Sequence, residues 1–271
     1  MDPKHAAALD HALVTEVLFY PRRLREAEVP VDPKGSIQKI AAGADTLGGY
    51  FYRPSPAGPT ILFFHGNGEV MTDYLDGFQR ELKGLGANLL VVDYRGYGLS
   101  SGLPTLSRLL EDARAAWAHA VGPLGLKPAE IVVMGRSLGS LAALELAAGP
   151  AREAAGLVIE SGIGRFDQWV GRMAPMLEMM GVDLGGLRAA LRAEFDQEAK
   201  MRAFPGPVLV MHAPDDEIVP VSHGQDLASW SQNARLRVFA RGGHNDVMYI
   251  NHAQYFTELG RFLAKVTQLK S

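Results

Sequence analysis

Six short apolar runs punctuate the chain: TILFFH (60–65), NLLVVDY (88–94), IVVMG (131–135), GLVIES (156–161), PVLVMHA (207–213) and RLRVFA (235–240). Little alternation interrupts them, and most are rich in β-branched residues, the pattern of strands buried on both faces. Two earlier segments, SIQKIAA and GGYFYR, alternate with period two and predict an antiparallel pair. Helical patterns lie between the runs, over Met71 to Lys83, Leu106 to Val121, Leu138 to Ala148, Gln225 to Ser231 and Gln254 to Val266. A further amphipathic stretch covers residues 9–19 and stops before Pro21. Strands alternating with helices predict an α/β protein with a mostly parallel central sheet of about eight strands and helices on both faces. The proline-rich stretches PSPAGP and FPGP sit between elements as loops, so residues 1–271 read as one domain.

One segment breaks the alternation. From 162 to 203 the pattern is helical only, with Met173, Met176 and Met180 at spacings of three and four. Such a segment either packs on the core as extra helices or forms a small cap over a site. In the second case Trp169, Met173, Met176 and Met180 would line an adaptable apolar substrate pocket.

Composition narrows the function. The chain is 47% hydrophobic with a net charge of −3, so it has a sizeable core and no basic footprint for nucleic acid. It has no cysteine, which excludes disulfides, thiolate metal sites and a cysteine nucleophile. No histidine pair falls at helical metal-binding spacing, so neither a metal nor an organic cofactor is expected. Asp2, Asp10 and Glu16 interrupt the N-terminus where a signal peptide needs an apolar core, and no run of about 18 apolar residues follows. The expectation is a cytoplasmic protein without a membrane span. The sequence leaves its oligomeric state open.

The chemistry concentrates around IVVMGRSLGS, residues 131–140. Ser137 stands between Gly135 and Gly139, after a strand run and before the alanine- and leucine-rich SLAALELAA. That context predicts a serine exposed on a sharp strand-to-helix turn. A serine hydroxyl needs a base that is itself held by an acid. His244 follows the last strand run inside the loop RGGHND, where a base can reach back over a parallel sheet. For the acid, PVLVMHAPDDEIVP ends a strand with Asp215 and Asp216, and Glu160 at the end of the preceding strand competes with both. His212 lies within a strand and reads as a core histidine. An oxyanion would be met by two backbone N–H groups, from Leu138 after the serine and from Asn67 in the loop HGNG.

Taken together, HGNG, DYRGYGLSSG (93–102), GRSLG, HAPDDEIVPVSHG (212–224) and GGHND resemble, in order, the motifs of the α/β-hydrolase superfamily over nearly the entire chain. The last two look most like the α/β-hydrolase-domain proteins of eukaryotes that act on acylated substrates. Ala213 and Pro214 replace the glycine and threonine usual there. The resemblance implies the α/β-hydrolase fold, with Asp216 rather than Asp215 as the acid and His244 as the base. It also implies a serine hydrolase that cleaves a small-molecule ester or thioester. An acyltransferase using the same serine, or a non-catalytic binding protein on this scaffold, are the alternatives. A dinucleotide-binding reading of Gly96-Tyr97-Gly98 fails because Ser100, Ser101, Gly102 and Pro104 delay the next helix.

Overall fold

A computed structural model describes residues 1–268. Eight strands form one sheet: β1 (Gly35–Ala42), β2 (Asp45–Tyr52), β3 (Thr60–Phe64), β4 (Asn88–Val92), β5 (Ile131–Arg136), β6 (Gly156–Glu160), β7 (Val208–His212) and β8 (Ala234–Val238). Their spatial order is β1-β2-β4-β3-β5-β6-β7-β8. β2 runs antiparallel to β1 and to β4, and the remaining neighbours are parallel. Every residue of β3 to β7 is buried, which is why those strands read as unbroken apolar runs. Alternate residues serve opposite faces. Leu62 and Phe64 join one apolar cluster, while Ile61 and Phe63 join the other.

Helices cover both faces. The chain begins with α1 (Pro3–Leu9) and α2 (Ala12–Leu18), then adds α3 (Gly77–Gly84), α4 (Leu106–Val121) and α5 (Gly139–Ala148). Between β6 and β7 lie α6 (Phe166–Gly171), α7 (Ala174–Met179), α8 (Leu184–Glu194) and α9 (Gln197–Ala203), followed by α10 (Val221–Ser229) between β7 and β8. α11 (Val247–Ile250) and α12 (His252–Gln268) end the fold. Buried side chains of α4 and α5 belong to the first cluster, and those of α3 and α12 to the second. No helix among the described residues is long and apolar enough to cross a membrane.

Two predicted helices are broken. Where the pattern predicts one helix over residues 9–19, Asp10 leaves the helix and its carboxylate accepts from the Ser107 N–H at 3.1 Å and from its hydroxyl at 2.5 Å. His11 then caps α2 through the Leu13 N–H. Likewise the helical text from Phe166 to Met180 is not one helix. α6 ends at Gly171, and α7 begins at Ala174 with Pro175, which has no N–H to donate, in its first turn. The methionine stripe falls on α7, with Met173 as its N-cap, Met176 within it and Met180 as its C-cap.

The topology fixes where chemistry can occur. From β3 the chain passes to β4 on one side and returns to β5 on the other. The loops leaving the carboxyl ends of β3 and β5 therefore diverge and leave a crevice between them. The HGNG loop leaves β3 there, and Ser137 leaves β5.

Candidate active site

Ser137 has φ of +50°, a left-handed conformation uncommon for a residue with a side chain. Its N–H donates to the Glu160 carbonyl at 2.9 Å, which ties the turn to the end of β6. The flanking glycines are sterically required. A Cβ on Gly135 would strike the Gly139 carbonyl, and one on Gly139 would strike the Phe64 carbonyl and lie 2.7 Å from that of His65. Only glycine lets the elbow close this tightly and pack on the end of β3.

His244 and Asp216 meet the serine from the loops after β8 and β7. His244 Nε2 lies 2.8 Å from Ser137 Oγ, and His244 Nδ1 lies 2.8 and 3.0 Å from the two carboxylate oxygens of Asp216. All three residues are buried, whereas Asp215 is exposed. The Asp216 carboxylate also accepts the Val219 and Ile218 N–H groups at 2.7 and 3.1 Å. His212 sits behind it in the core, with Nε2 2.8 Å from the Val219 carbonyl and 3.3 Å from Asp216 Oδ2. Burial works to raise the Asp216 pKa. The hydrogen bonds from His212, His244 and Val219, with the charge of His244, hold it instead well below the usual carboxylate range. An ionised Asp216 can only accept, so the His244 proton belongs on Nδ1, and Nε2 is free to accept from the serine hydroxyl.

Glu160, the competing acid, is engaged elsewhere. It accepts from the Tyr255 hydroxyl at 2.5 Å and from Arg136 Nε at 3.2 Å. Arg136 is the residue that sequence reasoning missed. One position before the serine, its buried guanidinium also pairs with Glu69 and donates to the His244 carbonyl at 2.8 Å and to Asn245 Oδ1 at 3.2 Å. Glu69 in turn accepts the Gly66 N–H at 2.6 Å and the Tyr74 hydroxyl at 2.5 Å. Burial opposes ionisation of Glu69, but Arg136 and these donors hold its pKa below the ordinary value. One cation thus joins the elbow, the HGNG loop and the His244 loop. The only trace in the sequence is a charged residue ending an otherwise apolar strand run.

The HGNG loop is held from two sides. The Tyr94 hydroxyl donates to the His65 carbonyl at 2.7 Å, and the Tyr97 hydroxyl to Asn67 Oδ1 at 2.6 Å. The Asn67 side chain further accepts the Tyr20 N–H at 3.0 Å and donates to the Leu18 carbonyl at 2.8 Å. The segment after α2 is therefore clamped to this loop, a contact the sequence pattern did not reveal. Asn67 and Leu138 both border the cavity above Ser137, and among the described residues no protein acceptor occupies their backbone N–H groups.

That cavity measures about 400 Å³. Ser137 and His244 lie at its floor, and Val17, Leu18, Ile163, Phe166 and Ile218 contribute apolar walls. Of the four pocket residues expected from the sequence, Trp169 and Met173 line it. Met176 and Met180 do not; farther along α7 from its N-cap Met173, they stand 39% and 38% exposed.

Comparison with known proteins places this layout. Residues 55–185 match the family model described as "Serine aminopeptidase, S33". The chain is 30% identical over 222 residues to human alpha/beta hydrolase domain-containing protein 17B, covering 79% of this chain and 70% of that one. It therefore belongs to the α/β-hydrolase superfamily, and its class is that of a hydrolase. Human alpha/beta hydrolase domain-containing protein 17C is 29% identical over 225 residues, 80% of this chain but only 62% of that relative's length. Among solved structures, an esterase of Pyrococcus furiosus shares the fold with a TM-score of 0.68 at 19% identity, over 92% of this chain and 98% of the other. Est1E from Butyrivibrio proteoclasticus gives 0.66 at 17% identity, over 86% and 99%.

Proposed function

We propose that the chain is a serine hydrolase that cleaves carboxylic esters or thioesters through an acyl-enzyme on Ser137. The observation that carries this reading is the relay from Asp216 through His244 to Ser137, with contacts of 2.8 Å at each step, on the floor of an apolar cleft. In this mechanism Ser137 Oγ attacks the ester carbonyl while His244 Nε2 takes its proton. The oxyanion is met by the N–H groups of Asn67 and Leu138, each worth roughly 10²–10³ in rate. His244 then returns the proton to the departing alcohol or thiol. Water enters, gives a proton to His244 and releases the acid, and the serine regains its proton. Asp216 stays ionised and holds the imidazole in the required tautomer. The reaction assigns no step to a metal or organic cofactor.

The helices of residues 162–203 act in this reading as a small cap on a single domain, with Trp169 and Met173 forming the wall that receives the acyl chain. A cavity of about 400 Å³ suits a small-molecule ester. The name of the matched family model raises aminopeptidase activity as a rival. An aminopeptidase must hold a free ammonium group, which calls for a carboxylate near the scissile bond. No Asp or Glu is among the residues lining this cleft, so the ester reading is favoured. The test is a p-nitrophenyl ester series assayed with wild type and Ser137→Ala. Turnover that Ser137→Ala abolishes supports the proposal. Turnover that survives the substitution overturns it.

A further inference from the structure

The cleft carries one charge that no ion pair among the described residues balances. Arg136 at its floor is paired with Glu69 and Glu160. Arg172, on the cap wall between Trp169 and Met173, forms no ion pair among the described residues. Its Nη1 donates only to the Ile218 carbonyl, at 3.3 Å. Trp169 Nε1 donates to the same oxygen at 3.1 Å, so the rim is fixed to the loop that also carries Asp216. The remaining lining is apolar or neutral apart from the site residues themselves, and it includes no carboxylate.

We propose that Arg172 selects an anionic acyl chain, so that the preferred substrates are esters or thioesters whose acyl group ends in a carboxylate. This rests on the serine-hydrolase reading of the same cleft. A guanidinium has five N–H donors in a planar fork, and one bond to Ile218 leaves most of them free for a carboxylate. Arg172 is exposed, so in the empty cleft it remains hydrated and needs no internal counter-ion. The methylene chain of the acyl group would lie along Trp169 and Met173, with its far end at the guanidinium. A neutral chain of the same length would leave that cation without a partner.

The experiment compares p-nitrophenyl butyrate with p-nitrophenyl hydrogen glutarate on wild type, Arg172→Lys, Arg172→Gln and Arg172→Glu. The readout is the ratio of kcat/KM for the anionic ester to that for the neutral one, which cancels any general effect of the substitution on the elbow. Arg172→Gln should lower this ratio about tenfold, as expected for loss of a partly solvated charge-assisted hydrogen bond, with the change in KM. Arg172→Lys should recover part of the ratio, and Arg172→Glu should lower it further. The wild-type ratio should also fall as salt rises from about 0.01 to 0.3 M. A ratio that is the same in all four proteins overturns the proposal.

A second arm needs no turnover. In Ser137→Ala protein, monomethyl glutarate should bind more tightly than methyl butyrate by ligand-observed NMR, and Arg172→Gln should remove the difference. Equal binding of the two overturns the anion site. If that difference is found while neither ester is hydrolysed, the anion site stands and the hydrolase reading fails.

Discussion

Arg136→Met would strip the counter-charge from one buried and one half-buried carboxylate. The Glu69 and Glu160 side chains are 21% and 4% exposed, and the guanidinium between them is 9% exposed. Removing one partner of a buried pair costs about 3–5 kcal/mol, because the remaining charge is left without compensation. In a domain of this size that corresponds to a fall in Tm of roughly 6–20 °C. The pH dependence should reverse as well. In wild type the Glu69 pKa is held below its ordinary value. Its contribution is fully present above the unfolded pKa, near 4.5, and is lost as pH falls through the lowered folded value. Without Arg136, burial dominates and raises the folded pKa, so the folded state binds more protons than the unfolded state at mildly acidic pH. The variant should therefore gain stability as pH falls from about 8 toward 5. Urea unfolding at several pH values measures both effects. Adding Glu69→Gln and Glu160→Gln to Arg136→Met removes the stranded charges and should recover most of the stability. It should not recover activity, because the donor to the His244 carbonyl is still missing, and a displaced base costs roughly 10–100-fold in rate. A loss below about 1 kcal/mol with an unchanged pH slope would refute the idea that Arg136 holds these three loops together.

Ser137→Ala and His244→Ala should each lower kcat by roughly 10⁴–10⁶-fold, and the double variant should be little worse, because the two act as a unit. Asp216→Asn should cost roughly 10³–10⁴-fold, and Glu160→Gln at least a hundredfold less, since Glu160 faces Arg136 and Tyr255 rather than His244. The reverse order in steady-state kinetics would move the acid to β6. Trp169→Ala with Met173→Ala should lengthen the preferred acyl chain in a p-nitrophenyl ester series, while Met176→Ala with Met180→Ala should leave the optimum where it is. Gly139→Ala should give an unfolded or inactive protein by circular dichroism and ester assay, because the new methyl would meet the Phe64 backbone at 2.6 Å or less.

Much of this layout is legible in the sequence. Strands β3 to β7 are buried on both faces, so TILFF and NLLVV could be recognised as strands without alternation. The elbow was readable because its sterics demand glycine at 135 and 139. Ser137 and His244 followed from their places after the ends of β5 and β8, and chain order favoured an acid in the loop after β7 without choosing between its two aspartates. What escaped was set by contacts distant in sequence. The break at Asp10 depends on Ser107, 97 residues away, and the anchoring of Asn67 depends on Leu18 and Tyr20. The acidic partners of Arg136 lie 67 and 24 residues away, in the loop after β3 and at the end of β6. The methionine stripe misled for a local reason: Met173, Met176 and Met180 do fall on α7 and its two caps, but only its N-terminal end, at Met173, reaches the cleft. Asp215 and Asp216 are adjacent and chemically alike, and only the resemblance to known motifs chose between them. In the structure one is exposed and the other buried against His244.

The central claim is that His244 activates Ser137 as a nucleophile. Incubation with a fluorophosphonate, followed by intact-mass measurement and peptide mapping, tests it most directly. The account predicts a single phosphonyl adduct on Ser137 in wild type, with labelling slowed by orders of magnitude in His244→Ala protein that remains folded. An adduct on any other residue, or labelling of Ser137 at an equal rate without His244, would contradict it.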